Sequence, residues 1–137
     1  MELYRIMVVT KKKPSQFSPL TLAYIGDGVY ELFVRTRVIE ENENMPVHML
    51  HKETVKYVKA HSQSNSIDSM IALLSEDEIA VYKRGRNTKS NTMPKNADMS
   101  DYRKATGFEA LIGYLYLSGE EKRLNELMNI AYENALD

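Results

Sequence analysis

Two long segments of this chain carry almost no charge, and this feature constrains the fold more than any other. Between residues 20 and 34 the only charged residues are Asp27 and Glu31, and between Lys104 and Glu120 the only one is Glu109. In each segment apolar residues cover nearly the whole circumference of a helix, a pattern typical of buried helices. We therefore expect two buried helices, each with a carboxylate embedded among apolar side chains.

The rest of the sequence also favours helices, so the predicted fold class is all-α. Only six glycines and four prolines occur among 137 residues, which favours a few long elements over many short strands. No stretch sustains the period-two alternation that marks a half-buried strand. We predict an N-terminal arm over residues 1–17 and a single helical-bundle domain over residues 18–137.

Breakers and capping residues place the individual elements of this bundle. Helices are predicted over residues 20–39, 46–61, 75–83, 101–117 and 120–135. The apolar positions expected to face inward from the second helix are Val47, Leu50, Val55 and Val58. Between the helices we expect a short apolar segment over residues 67–74 and a long loop over residues 84–96. Long loops inside compact domains are commonly functional.

Composition excludes several classes of site and of protein. Since the chain has no cysteine, it has no disulfide, zinc–thiolate site or cysteine nucleophile. No apolar run approaches the roughly 18 residues of a membrane span. The first lysines follow an apolar stretch, which is the reverse of a secretory signal. We expect a soluble, cytoplasmic protein without a membrane partner.

The net charge of −1 conceals a segregated distribution of charge. No acidic residue occurs between residues 79 and 97, and the cations of this stretch are Lys83, Arg84, Arg86, Lys89 and Lys95. Three consecutive lysines at residues 11–13 form a second basic cluster. Because segregated charge can present one basic face to a polyanion, we interpret the stretch as a phosphate-contacting element. The alternative is a loop that is merely solvated.

The two embedded carboxylates form the candidate chemical site. If their helices pack together, Asp27 and Glu109 converge, and paired carboxylates repel unless they share a proton or a cation. Oxygen ligands without cysteine or clustered histidine favour Mg²⁺, or Mn²⁺, over zinc. The alternative is that an arginine or a helix N-terminus holds each acid in a structural role. Gly26 and Gly28 flank Asp27 and indicate close backbone approach by another chain or a ligand.

The residues around both carboxylates match a known family. The run Leu-Ala-Tyr-Ile-Gly-Asp-Gly-Val-Tyr-Glu at residues 22–31 resembles the signature helix of ribonuclease III enzymes. The run Ala-Thr-Gly-Phe-Glu-Ala-Leu-Ile-Gly at residues 105–113 resembles the second acidic helix of that family. The resemblance covers residues 18–135 and is closest to the Mini-ribonuclease III type, which has the nuclease domain without a double-stranded-RNA-binding domain.

This resemblance implies a ribonuclease III-like fold and a Mg²⁺-dependent endoribonuclease that leaves 5′-phosphate and 3′-hydroxyl ends on double-stranded RNA. It implies that Asp27 and Glu109 are the catalytic and metal-binding residues. It also implies a homodimer with the motif helices at its interface, and a precursor of large-subunit ribosomal RNA as the substrate.

The sequence departs from the family pattern at two carboxylates. Typical members have a glutamate where this chain has Ala23 and an aspartate where it has Thr106. These departures favour one alternative, a catalytically inert ribonuclease III-like protein that binds RNA or the ribosome. An all-α nucleotide pyrophosphatase is a weaker alternative, because the Glu-x-x-Glu spacing of Glu40 and Glu43 falls at a helix end among charged neighbours.

Other polar residues have simpler interpretations. Glu31 is expected to pair with Arg35 one turn later or with a cation of a partner chain, and Asp101 is expected to cap the helix that follows it. The three histidines are expected at the surface or in contact with RNA, and they are His48, His51 and His61.

Overall fold

The computed structural model describes residues 11–89 and 98–137, which form helices and no strand. The six α-helices are α1 (Pro19–Glu41), α2 (Val47–Val58), α3 (Ala60–Met70), α4 (Glu76–Asn87), α5 (Met99–Leu117) and α6 (Glu121–Glu133). Two short 3₁₀ turns are Pro14–Gln16 and Ile71–Leu73. The all-α prediction is confirmed. None of the helices in the described ranges has the length and hydrophobicity that a membrane span requires.

Helix α5 is the centre of the packing. It contacts α1, α3, α4 and α6, and its side chains are buried on several sides. Phe108 is fully buried and meets the ring of Tyr30 from α1 edge to face, with 4.9 Å between ring centroids. The burial that the uncharged sequence predicts is therefore confirmed for this helix.

Helix α1 is buried on one side only, which differs from the prediction. Its buried residues recur about every four positions on the side that packs against α5 and the neighbouring helices, and they are Leu22, Ala23, Gly26, Tyr30, Val34 and Val38. Its opposite side exposes large apolar side chains at Leu20, Tyr24, Leu32 and Ile39. Tyr24 is 83% exposed. The pattern of apolar residues indicates that a face is to be covered, but it does not specify which chain covers it.

The backbones of α1 and α5 touch at two glycines. A Cβ atom on Gly26 would lie 1.8 Å from the carbonyl oxygen of Glu109, and one on Gly113 would lie 2.0 Å from that of Leu22. Neither position can hold a side chain at this separation of the helices. The close approach predicted at Gly26 thus joins two helices of the same chain, whereas a Cβ atom on Gly28 would meet nothing within 4 Å.

Helix α3 replaces part of what the sequence predicts as one longer helix followed by an apolar segment. The backbone is extended at Lys59, with ψ 156°, so α2 ends before it and α3 begins at Ala60. The buried polar residues of α3 are Ser62, Gln63, Ser64 and Ser66. Because these side chains are polar, hydrophobic periodicity could not reveal the helix.

The inward face of α2 also differs from the prediction. Val47 and Val55 are exposed, at 80% and 44%, while Leu50 and Val58 are half-buried against the core. The buried residue of this helix is Thr54, whose hydroxyl donates to the carbonyl oxygen of Leu50 at 3.0 Å. Its hydroxyl is satisfied within the helix, which allows its burial.

Helix α4 begins at the predicted capping box and is held by an ion pair to its buried Glu78. The Ser75 hydroxyl accepts from the amide of Glu78, and the Glu78 carboxylate accepts from the amide of Ser75. Arg123 of α6 donates to both oxygens of Glu78, at 2.8 and 2.9 Å. These bonds hold the pKa of the Glu78 carboxyl below its usual range and fix α4 against α6.

Two capping and boundary predictions change in the structure. Asp98, not Asp101, caps α5, because its carboxylate accepts from the amide of Asp101 at 2.9 Å. Within the predicted arm, residues 1–10 lie outside the described residues, and Pro14–Gln16 form a 3₁₀ turn. Phe17 then packs against a small apolar cluster that includes Leu22.

Candidate active site

The contact between α1 and α5 brings the two acidic residues of the sequence motifs together. Asp27 follows Gly26, the residue that touches the backbone of Glu109. Asp27 acts on the Glu109 carboxyl group both through its charge and as a hydrogen-bond partner. A hydrogen bond between two carboxyl groups requires a proton on one of them.

Burial and the neighbouring carboxylate raise the pKa of Glu109 to about 8. Burial is the larger cause, and the charge of Asp27 and the hydrogen bond to it add to the effect. Glu109 is therefore mostly protonated at pH 7. Asp27 itself is exposed in the single chain, so the expectation that it is embedded is wrong. It lies near the exposed side of α1, whereas Glu109 is partly buried.

A third polar side chain reaches this pair from α3. The Nε2 atom of Gln63 donates to Oε2 of Glu109 at 3.3 Å and favours its ionised form, which lowers the pKa of Glu109. Gln63 is 1% exposed, and its Oε1 is buried without a hydrogen-bond partner in the described part of the chain. Sequence reasoning missed Gln63, because the motifs that point to the two acids lie on other helices.

The chemistry of these groups fits a divalent cation. Two adjacent carboxylates repel each other when both are ionised, and a divalent ion supplies the counter-charge in place of the proton. Across residues 11–89 and 98–137, no cluster of three or more histidine, aspartate or glutamate side chains forms a candidate metal site. The site formed by Asp27 and Glu109 thus offers two carboxylates. Two are enough for Mg²⁺, which binds proteins through one or two carboxylates when water and phosphate oxygens supply the remaining ligands.

The positions where the family pattern has two further carboxylates have other roles here. Ala23 is buried in the contact of α1 with its neighbours. The hydroxyl of Thr106 donates to the carbonyl oxygen of Tyr102 one turn earlier, at 3.0 Å. Neither residue supplies a carboxylate to the pair of Asp27 and Glu109.

Three of the five predicted phosphate-contacting cations lie on a helix rather than in a loop. Helix α4 continues through Asn87, so Lys83, Arg84 and Arg86 belong to its last turns. A helix is compatible here because arginine and lysine are good helix formers, and cations are favourable near a helix C-terminus. Lys89 follows the helix and is exposed, while Lys95 lies outside the described residues.

An open pocket between α4 and α5 adds two cations that the sequence did not single out. Arg86, Arg103 and Lys104 line this basic pocket together with Tyr82. The guanidinium group of Arg86 lies 5.6 Å from the centre of the Tyr82 ring. Lys104 pairs with Asp68 at 2.8 Å. Arg86 and Arg103 can therefore attract an anion to the pocket, next to the α4 cations.

The remaining polar residues behave largely as the sequence predicts. Glu31 pairs with Arg35 at 2.8 Å, and His48 and His51 are exposed, which confirms both predictions. His61 is exposed too, but its two ring nitrogens contact the carboxylates of Asp101 and Asp137 at 2.9 and 3.0 Å. Hydrogen bonds to these carboxylates raise the pKa of His61.

Comparison with known proteins extends this picture. Residues 20–120 match the family model of the Ribonuclease III domain. The Mini-ribonuclease 3 of Clostridium tetani is 55% identical over 121 residues, which are 88% of this chain and 80% of that protein. The Mini-ribonuclease 3 of Thermoanaerobacter sp. is 51% identical over 126 residues, which are 92% of this chain and 88% of that protein.

A solved structure shows the same architecture. A crystal structure of a protein from Fusobacterium nucleatum matches with a TM-score of 0.80 and 30% sequence identity, over 92% of this chain and 100% of that one. The family match includes nearly all of α1 and the whole of α5, the helices that carry Asp27 and Glu109. The chain belongs to the ribonuclease III family.

Proposed function

We propose that this chain cleaves double-stranded RNA in a Mg²⁺-dependent reaction at Asp27 and Glu109. As a member of the ribonuclease III family, the chain is an endoribonuclease. The observation that carries the assignment of the site is the contact of the two motif helices at Gly26, which places Asp27 close enough to Glu109 for its charge to raise the pKa of Glu109. Mn²⁺ is a possible substitute, since it also takes oxygen ligands.

The two residues have different tasks in this proposal. The exposed carboxylate of Asp27 is accessible to an RNA phosphate at the surface, while Glu109 is held from within the protein by α5 and α3. Asp27 and Glu109 would hold a divalent ion, whose chemistry there would be activation of water and neutralisation of charge on the phosphoryl group. Hydrolysis would leave a 5′-phosphate and a 3′-hydroxyl.

The basic pocket and the α4 cations are the proposed contacts with the RNA backbone. Double-stranded RNA is recognised mostly through its shape, phosphates and 2′-hydroxyls, because its deep major groove is closed to side chains. The pocket offers Arg86, Arg103 and Lys104 for this purpose, and Lys83 and Arg84 extend the positive charge along α4. Lys89 and Lys95, which follow α4 in the sequence, are included in the proposed contact.

The exposed side of α1 is the proposed interface of a homodimer. Its four large apolar side chains, Leu20, Tyr24, Leu32 and Ile39, lie along one helix on either side of the open position at Gly28. Contiguous exposed apolar surface commonly marks an interface, and a two-fold dimer covers the same surface on both copies. Because Asp27 precedes Gly28, the site of each copy would lie close to this interface.

The proposed physiological substrate is a precursor of large-subunit ribosomal RNA, in the cytoplasm. This part of the proposal is supported by similarity to Mini-ribonuclease 3 proteins over most of the chain. The second candidate is a catalytically inert RNA-binding or ribosome-associated protein, which Ala23 and Thr106 favour. The conjunction of Asp27 with Glu109 favours the enzyme over this candidate.

Incubation with a labelled RNA duplex separates the two candidates. The enzyme is expected to cleave the duplex with Mg²⁺ and not with EDTA. Asp27→Asn is expected to bind the duplex in a gel-shift assay but not to cleave it. Binding without cleavage by the wild-type chain would favour the inert protein, and cleavage by Asp27→Asn at the wild-type rate would refute the assigned site.

A further inference from the structure

Helix α3 buries polar side chains in its first half, before the apolar Ile67 and Met70 enter the core. Ser62, Gln63 and Ser66 are each no more than 1% exposed. The two serines are satisfied by the backbone. The hydroxyl of Ser62 donates to the carbonyl oxygen of Lys56. The hydroxyl of Ser66 donates to the carbonyl oxygen of Ala131 at 2.7 Å. These bonds connect α3 to α2 and α6 and have a structural role.

Gln63 is bonded differently from its neighbours. Within the described residues its amide nitrogen donates to Oε2 of Glu109, and its Oε1 is buried without a partner. Burial of an unmatched acceptor costs free energy. A methionine of similar size would fill the same space without a polar atom in need of a partner. The hydrogen bond from the amide nitrogen of Gln63 to Glu109 offsets the free-energy cost of burying the unmatched oxygen.

A donor at this place controls the orientation of the Glu109 carboxylate. The last torsion of a glutamate side chain has a broad range, so the carboxylate plane is poorly fixed by the chain itself. Gln63 restrains one oxygen from α3, while Asp27 approaches the same group from α1. Partners of this kind, one step removed from the ion, orient metal ligands in proteins.

We propose that Gln63 is a positioning residue that holds the carboxylate of Glu109 in the orientation needed to share a divalent ion with Asp27. This inference rests on the proposed function, because it concerns the same site. Loss of such a partner commonly weakens metal binding by about 10- to 100-fold.

Calorimetric titration of the full chain with Mn²⁺ alone tests this role. Gln63→Met removes the donor at similar volume and is expected to weaken Mn²⁺ binding by about tenfold or more. It is also expected to raise the Mg²⁺ concentration needed for half-maximal cleavage and to leave the KM for RNA unchanged. Gln63→Asn withdraws the amide by one methylene group and is expected to weaken Mn²⁺ binding as well, which keeps the test available if Gln63→Met does not fold.

Ser62→Ala is the matched control. This neighbour is equally buried, but its hydroxyl bonds to the backbone, so the variant is expected to lose stability in urea and to keep the wild-type Mn²⁺ affinity. Wild-type Mn²⁺ affinity in a folded Gln63 variant would overturn the proposal, and so would an equal loss in Ser62→Ala. Failure of the proposed function would look different, because the wild-type chain itself would then bind no Mn²⁺ or cleave no duplex.

Discussion

Replacing Gly26 with alanine adds one methyl group at the point where α1 and α5 touch. The new carbon would start 1.8 Å from the carbonyl oxygen of Glu109 and 2.8 Å from the amide nitrogen of Gly113. Both neighbours are backbone atoms, so neither can turn aside as a side chain could. The helices therefore have to separate by roughly 1 Å or more at this point, since separations below 3.0 Å are essentially never seen for a Cβ atom.

The magnitude follows from two opposing effects. Overpacking a well-packed core costs about 1–3 kcal/mol, and a clash with backbone on the facing helix belongs at the upper end. Alanine gains about 1 kcal/mol of helix propensity over glycine. We expect Gly26→Ala to be destabilised by about 2 kcal/mol, which lowers the Tm of a chain of this size by about 8 °C.

Gly28→Ala is the control for this experiment, two residues along the same helix. Its added methyl group meets nothing within 4 Å in the chain, so we expect stability equal to or up to about 1 kcal/mol above that of the wild type. Urea unfolding of both variants at one protein concentration measures the difference. If Gly26→Ala proves as stable as Gly28→Ala, the backbone contact between α1 and α5 is not as described.

Three further outcomes are expected. Because the pKa of Glu109 is about 8 and a cation must displace its proton, Mn²⁺ affinity should rise about tenfold per pH unit between pH 6 and 8 and then level off. Titration calorimetry measures this dependence, and Glu109→Gln should abolish it. Joint replacement of Lys83, Arg84 and Arg86 by alanine should weaken duplex binding and raise KM more than it lowers kcat. The slope of log affinity against log salt should become flatter by roughly 0.7–0.9 per lost phosphate contact. An unchanged slope would exclude these contacts. Gly28→Leu should reduce dimer formation in sedimentation, and an intact dimer would place the interface elsewhere.

The long, nearly uncharged segment predicted the burial of the central helix α5 well. The part of α5 that follows Lys104 contains a single charged residue, Glu109, and its burial confirms the expectation. The same reasoning failed for Asp27 on α1. A helix that is apolar on all sides can be covered by its own chain or by another chain, and the sequence does not distinguish these cases. The exposed side chains of Tyr24 and Leu32 show that α1 leaves one side open within a single chain.

The sequence could not predict the buried polar side chain of the site, Gln63. The two acids stand out because they are isolated in apolar segments and lie within motifs. Gln63 has no such signal, since it lies in a run of serines, asparagine and glutamine that reads as solvent-exposed. Its inward position depends on hydrogen bonds from α3 to α2, α5 and α6, which form only when the helices are packed.

Cleavage by single and double variants of the two acids tests the central claim most directly, that Asp27 and Glu109 act as one unit. The measurement is the single-turnover rate on a labelled RNA duplex at saturating Mg²⁺, for Asp27→Asn, Glu109→Gln and the double variant. Groups that act as a unit lose function together, so each single variant should fall to the rate of the double variant. Losses that multiply in the double variant, or a single variant that cleaves at the wild-type rate, would contradict the account.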